Sequence, residues 1–219
     1  MPTSERAPRH SLSRDRVVAA AVDLADAEGL DALTMRSLAA HLRVKPMSLY
    51  RHVTAKDELL DAMVELLFSR MERPDPSRPD WRAELRRRSA SVRATLVAHP
   101  WALGLLESRT GPARPSAFAH SEAVLATLLA AGFPARLAAR AFVALDSVVY
   151  GFALQEVTMA GTDPHTEEAA RLVPAMEQYP SMLVTREAVA AEPGYELAIE
   201  FDACLELVLD GIHRWRLEG

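Results

Sequence analysis

The chain has 219 residues, 49% hydrophobic and 25% charged, with a formal net charge of −5, values that exclude a wholly disordered protein. No uninterrupted apolar stretch reaches the ~18 residues of a membrane-spanning helix, and Met1 to His10 lack the apolar core of a secretory signal, so a cytoplasmic protein with no membrane partner is expected. The single cysteine, Cys204, can form neither an internal disulfide nor a cysteine-rich zinc site, and nine glycines leave little room for the turns of an all-β fold.

The pattern is helical throughout. Ser13 can cap a helix that runs to Glu28, with Val17, Ala21, Leu24 and Ala25 on one face and Gly29 as the stop. Thr34 can cap a short second helix through Leu42. Arg43 and Val44 make a tight turn into a third helix, expected from Lys45 to His52, with Pro46 in its first turn. Thr54 to Asp57 reads as a capping box with Asp57 in the acidic position. It opens a fourth helix to about Arg73, lined by Leu59, Leu60, Met63, Val64, Leu67 and Met71. Three prolines between Arg73 and Asp80 must break it. Further helices are expected at about 81–98, 101–107, 115–131 and 135–160, then short helices with loops over 161–194, and a last helix over about 195–217.

Charge divides the chain unevenly. Residues 1–56 hold nine basic and six acidic side chains, and the remainder holds sixteen and twenty-four. Both lysines of the chain, Lys45 and Lys56, fall in the basic part. A basic end on an acidic body points to an anionic partner for the first sixty residues.

Three short helices, the second and third joined by a tight turn, make a helix-turn-helix, whose third helix can enter a major groove. Lys45, Ser48, Tyr50, Arg51 and His52 are polar there, while Val44, Leu49 and Val53 point inward. Tyr50, His52 and Lys56 can bond phosphates, and Arg36 can reach a base edge or a phosphate. The segments Leu33 to Ala39, Leu42 to Val53 and Lys56 to Leu60 resemble the DNA-binding domain of the TetR family of repressors, over about residues 12–67. The resemblance implies phosphate contacts for Tyr50, His52 and Lys56. It implies base or groove-wall contacts for Arg36, Lys45, Pro46, Met47, Ser48 and Arg51. Arg43 departs from it, since glycine is usual in that turn.

In the acidic body, Leu145, Val149 and Phe152 on the helix at 135–160, and Phe201, Leu205, Val208, Ile212 and Trp215 on the last helix, form apolar stripes at helical spacing. Both helices carry a second apolar face, so two partners are expected, one of them a second subunit in a four-helix bundle. Residues 81–219 also resemble the ligand-binding domain of the tetracycline-repressor branch. That implies a pocket among the middle helices, with His99, Trp101, Phe118, His120, Phe142, Ser147, Tyr150, Gln155 and Met159 as lining candidates. Polar Asp146, Ser147 and Gln155 are the most pointed, because buried polar groups need partners. The tetracycline-repressor branch implies a histidine near His99 and a glutamate near Gln155 for a magnesium-chelated drug. Glutamine is a poor magnesium ligand, so the expected effector is hydrophobic or amphipathic and binds without a metal. The run Arg86 to Arg88 reads as a solvated helix face.

The expectation is therefore an all-α protein in three parts. Residues 1–12 form a flexible arm. Residues 13–57 form the three-helix DNA-binding domain, with a connecting helix at about 55–73. Residues 74–219 form a larger helical ligand-binding and dimerisation domain. The expected protein is a homodimeric repressor of a palindromic operator, released by a small molecule and using no cofactor. A constitutive DNA binder and an all-helical enzyme are the alternatives; the chain carries no G-x-S-x-G, G-x-x-x-x-G-K-[ST], H-E-x-x-H or G-x-G-x-x-G motif.

Overall fold

The computed structural model describes residues 12–108, 115–159, 167–192 and 197–218; the expected N-terminal arm lies outside them but for its last residue. Among the described residues every regular element is helical. Two compact units emerge, one drawn from Met1–Arg70 with Gly104–Ala117, the other from Met71–Leu103 with Phe118–Gly219.

In the first unit, α1 (Arg14–Glu28) starts where the Ser13 hydroxyl accepts from the Arg16 amide (3.2 Å) and stops at Gly29, at φ 83°. A single 3-10 turn, Leu30–Ala32, leads to α2 (Met35–His41). Thr34 and Ser37 cap α2 reciprocally: the Ser37 amide donates to the Thr34 hydroxyl oxygen (3.0 Å) and the Thr34 amide to the Ser37 hydroxyl oxygen (2.9 Å). Arg43 then takes φ 56°, the left-handed region, where a side chain costs about 1–2 kcal/mol. That is the strain implied by a non-glycine residue in this turn.

The third helix is shorter than its pattern. α3 covers Pro46–Leu49 alone, and the chain tightens after it, with His52 N–H donating to the Leu49 carbonyl (2.8 Å). α4 (Lys56–Arg70) also differs at both ends. Glu58, not Asp57, reaches back, accepting from the Thr54 amide (2.7 Å) and hydroxyl (2.8 Å). Because that carboxylate sits two residues inside the helix, the helix starts at Lys56. It ends at Arg70, before the prolines. Leu33, Leu38, Leu49, Val53, Leu59 and Met63 are fully buried, each contributing about 1.5–3 kcal/mol.

α6 (Trp101–Ser108) enters this unit from Gly104 on, and so does the first turn of α7 (Pro115–Ala130). There the Ser116 amide donates to Glu65 Oε1 of α4 (2.9 Å), while Glu65 Oε2 is buried without a hydrogen-bond partner.

The second unit is built on α5 (Trp81–Ala98), α8 (Ala135–Thr158) and α11 (Leu197–Glu218), with α8 packed against both others. Asp80 caps α5 by accepting from the Ala83 amide (3.0 Å). Ion pairs stitch α5 to its neighbours: Arg82 to Glu206 and Asp210 (3.0 and 2.6 Å), Arg86 to Glu206 (2.6 Å), and Arg93 to Glu156 by two bonds (2.7 and 2.8 Å). The Arg93 guanidinium also lies 5.0 Å from the centre of the Phe201 ring. α9 (Glu167–Met176) and α10 (Pro180–Ala190) pack on each other. α8 is long and apolar enough to cross a membrane by length and composition, with a mean hydropathy of 1.6. One side of it packs between α5 and α11, while Val143 and Leu154 stay exposed on the other.

Candidate functional site

The first unit presents one polar edge. Leu49 and Val53, both fully buried, pin α3 and the turn after it. The side chains left outside are Lys45, Pro46, Met47, Tyr50 and Arg51, with Ser48 and His52 half-buried beside them. Met47 is 74% exposed. Arg36, in the first turn of α2, and Lys56, the first residue of α4, are exposed too. None of the ion pairs found among the described residues engages Arg36, Lys45, Arg51 or Lys56. Arg14 is used differently: it lies 3.5 Å from Glu58, whose carboxyl stays below its ordinary range mainly because the Thr54 amide donates to it. Four uncommitted cations around a short exposed helix suit a polyanion read through one groove.

The second unit buries a polar cluster that joins α5, α7 and α8. Arg88, 1% exposed, donates from Nε to His120 Nε2 (2.8 Å). An accepting Nε2 carries no proton, so this imidazole is neutral. Burial, with the Arg88 charge second, pulls its pKa down to about 4. Arg88 NH1 lies 2.6 Å from Asp146 Oδ1, but the approach is misaligned and neither atom has an aligned hydrogen-bond partner. Burial raises the Asp146 carboxyl despite the nearby guanidinium. Tyr150, one turn along α8, has its hydroxyl pushed up to about 12 by burial and by Asp146, so it stays protonated.

The depressed histidine makes stability depend on acid. Between about 6.5 and 4 the unfolded chain binds a proton at His120 and the folded chain does not, so stability falls as pH falls through that window, by up to about 1.4 kcal/mol per unit. His120→Gln should flatten this part of a urea-unfolding profile. A wild-type profile already flat from pH 6.5 to 4 would contradict the buried neutral imidazole.

The other lining candidates do not gather there. His99 ends α5 beside Trp101, ring centres 5.9 Å apart, and both are half-buried. Phe142 is half-buried; Phe118, Ser147, Gln155 and Met159 are exposed on the single chain. Ser147 shares the outer face of α8 with Val143 and Leu154. The residue that the pattern missed is Arg88. Its neighbours Arg86 and Arg87 do lie outside, the latter paired with Glu72 and Glu84, but a further 100° round the helix turns the third arginine inward.

The stripes expected at the dimer interface lie largely inside their own chain. Leu145, Val149, Phe152, Phe201, Leu205 and Ile212 are buried within their own chain, where Phe152 meets Phe201 edge-on at 5.4 Å. Val208 is half-buried, and only Trp215, 42% exposed, looks outward. The open apolar face consists of Val143 and Leu154 on α8 with Ile199, Leu207 and Leu217 on α11.

Comparison with known proteins agrees with both units. The family model for bacterial regulatory proteins of the tetR family matches residues 17–63, and the model for the tetracyclin repressor-like C-terminal domain matches residues 73–215. The chain belongs to the TetR family: it is a DNA-binding transcriptional regulator whose C-terminal domain is that of a ligand-responsive repressor. An HTH-type transcriptional regulator of Saccharopolyspora erythraea is 38% identical over 169 residues, which cover 77% of this chain and 69% of that protein. The tetracycline repressor protein class C of Escherichia coli is 29% identical over 211 residues, 95% of this chain and 94% of that one. Among solved structures, the Streptomyces coelicolor TetR family protein ActR in complex with actinorhodin matches with a TM-score of 0.74 and 28% identity, covering 96% of this chain and 99% of that chain.

Proposed function

We propose that this chain is a cytoplasmic, homodimeric repressor that reads a palindromic operator with α3 and releases it when a small hydrophobic or amphipathic molecule binds the C-terminal domain. The carrying observation is the exposed constellation around α3: uncommitted cations at Arg36, Lys45, Arg51 and Lys56 beside Tyr50, His52 and the bare Met47. Tyr50, His52 and Lys56 take phosphates; Arg36, Lys45, Pro46, Met47, Ser48 and Arg51 face bases or the groove wall. Dimerisation runs through the outer face of α8 and α11, with Val143, Leu154 and Leu207 at its centre and Trp215 at its edge. The relatives described above are transcriptional regulators, and ActR, solved with actinorhodin, supports a small organic effector. Gln155, exposed and uncharged, supports an effector that needs no magnesium.

Selection from randomised duplexes tests this reading. It should enrich an inverted repeat whose half-site centres lie about one helical turn, ~34 Å, apart or a multiple of it. Enrichment of single half-sites, or of no motif, would overturn it.

A further inference from the structure

We propose that the Arg88 guanidinium, enclosed by α5, α7 and α8, is the anchor for an ionised oxygen of the effector, which makes the effector a largely apolar molecule bearing an acidic group. The inference rests on the reading that the C-terminal domain binds a small molecule, and names the chemistry of that molecule.

A buried arginine kept only for structure is expected inside a fully satisfied network, because an under-satisfied one is worse than an apolar core. This network is not satisfied. Nε bonds His120, but the contact of NH1 with Asp146, at 2.6 Å, is misaligned, and both atoms are buried without an aligned partner. Ser89, the next residue and fully buried, has a hydroxyl with no hydrogen-bond partner. Tyr150 adds a hydroxyl that stays protonated and can donate. The cluster thus holds several donors, and the acceptor facing NH1, Asp146 Oδ1, does not meet it in an aligned bond. Its one counter-charge, Asp146, is itself disfavoured by burial.

The surroundings of the cluster favour an apolar body for the rest of the ligand. Leu85, Val92, Leu128, Leu145 and Val149 on the same three helices are buried and apolar. An anion with an apolar body would supply the missing acceptor in the plane of the guanidinium and take over the counter-charge from Asp146. Asp146 is suited to yield, since its side chain keeps 24% exposure while that of Arg88 keeps 2%.

Fused-ring aromatic carboxylates, from naphthoate to pyrenecarboxylate, test the anchor, each titrated against its methyl ester into the full-length protein. At least one carboxylate should bind about tenfold or more tighter than its ester. Arg88→Met should abolish that preference and Arg88→Lys should keep part of it. Asp146→Asn should tighten the carboxylate, because it removes the competing charge; a purely structural ion pair would move only the unfolding temperature. Absence of carboxylate binding, an ester that binds as well, or a preference that survives Arg88→Met would overturn the proposal. Should Arg88→Met fail to fold, unchanged or weakened carboxylate binding by Asp146→Asn overturns it instead. Operator binding is measured on the same preparations: its loss in the wild type would sink the repressor reading, whereas intact operator binding without a carboxylate preference sinks only the anchor.

Discussion

Val143→Glu with Leu207→Glu should convert the dimer to a folded monomer and weaken operator binding by on the order of 10²–10⁴-fold. That is the advantage of two linked readers over one. Both residues are largely exposed on the single chain, 62% and 71%, so neither glutamate disturbs the core of its own subunit. In a dimer face four added carboxylates would be desolvated beside one another, which no bundle tolerates. Sedimentation should report half the mass, and thermal unfolding should still be cooperative. The control is Leu205→Glu, on the inward stripe: it should unfold the subunit, because Leu205 is 1% exposed. A double variant that remains dimeric would move the interface off α8 and α11.

Removing Tyr50, His52 and Lys56 as phosphate partners, by Tyr50→Phe, His52→Ala and Lys56→Ala together, should nearly abolish operator binding at physiological salt. Each neutral contact contributes about 0.5–1.5 kcal/mol net, more where charge is involved, and a dimer loses every contact twice. Lys56→Ala alone should flatten the dependence of log affinity on log salt by about one per reader, the slope of one released counterion. Binding should weaken alike on operator and on unrelated DNA, since phosphates carry no sequence. Arg51→Ala should instead narrow the gap between the two. Lys56 is exposed and pairs with no acidic side chain in the observed ion pairs, so its loss leaves the fold intact. An unaltered salt slope would remove Lys56 from the DNA surface.

Much of the reader was legible because its signals are local. Ser13 and Thr34 announce helix starts within three residues, and Arg43 stands where the turn needs a left-handed residue. The helix borders of the larger unit were legible for the same reason, being set by Asp80, Pro134 and the glycine turns. What periodicity does not reveal is which of two apolar faces turns inward. On α8 and α11 both stripes repeat at helical spacing, and only the position of α5 and of the neighbouring helix decides. The stripe expected at the interface is thus the one packed inside its own chain. Arg88 was hidden by the opposite rule, since a third consecutive arginine argues for water from every local viewpoint. Its partners lie 32 and 58 positions away in sequence, in His120 and Asp146.

Glu65 ties the middle of α4 to the first turn of α7. Its Oε1 is held 2.9 Å from the Ser116 amide at the start of α7, and its second oxygen is shut away from solvent. The positive end of a helix favours such a carboxylate. A sliding step of one residue, ~1.5 Å along the α7 axis, is enough to break the bond. While the bond lasts, the first turn of α7 and the middle of α4 are meshed like teeth and turn together. The same α7, one turn further on, carries His120. A shift of the first turn of α7 would thus be felt at the middle of α4 through this one bond.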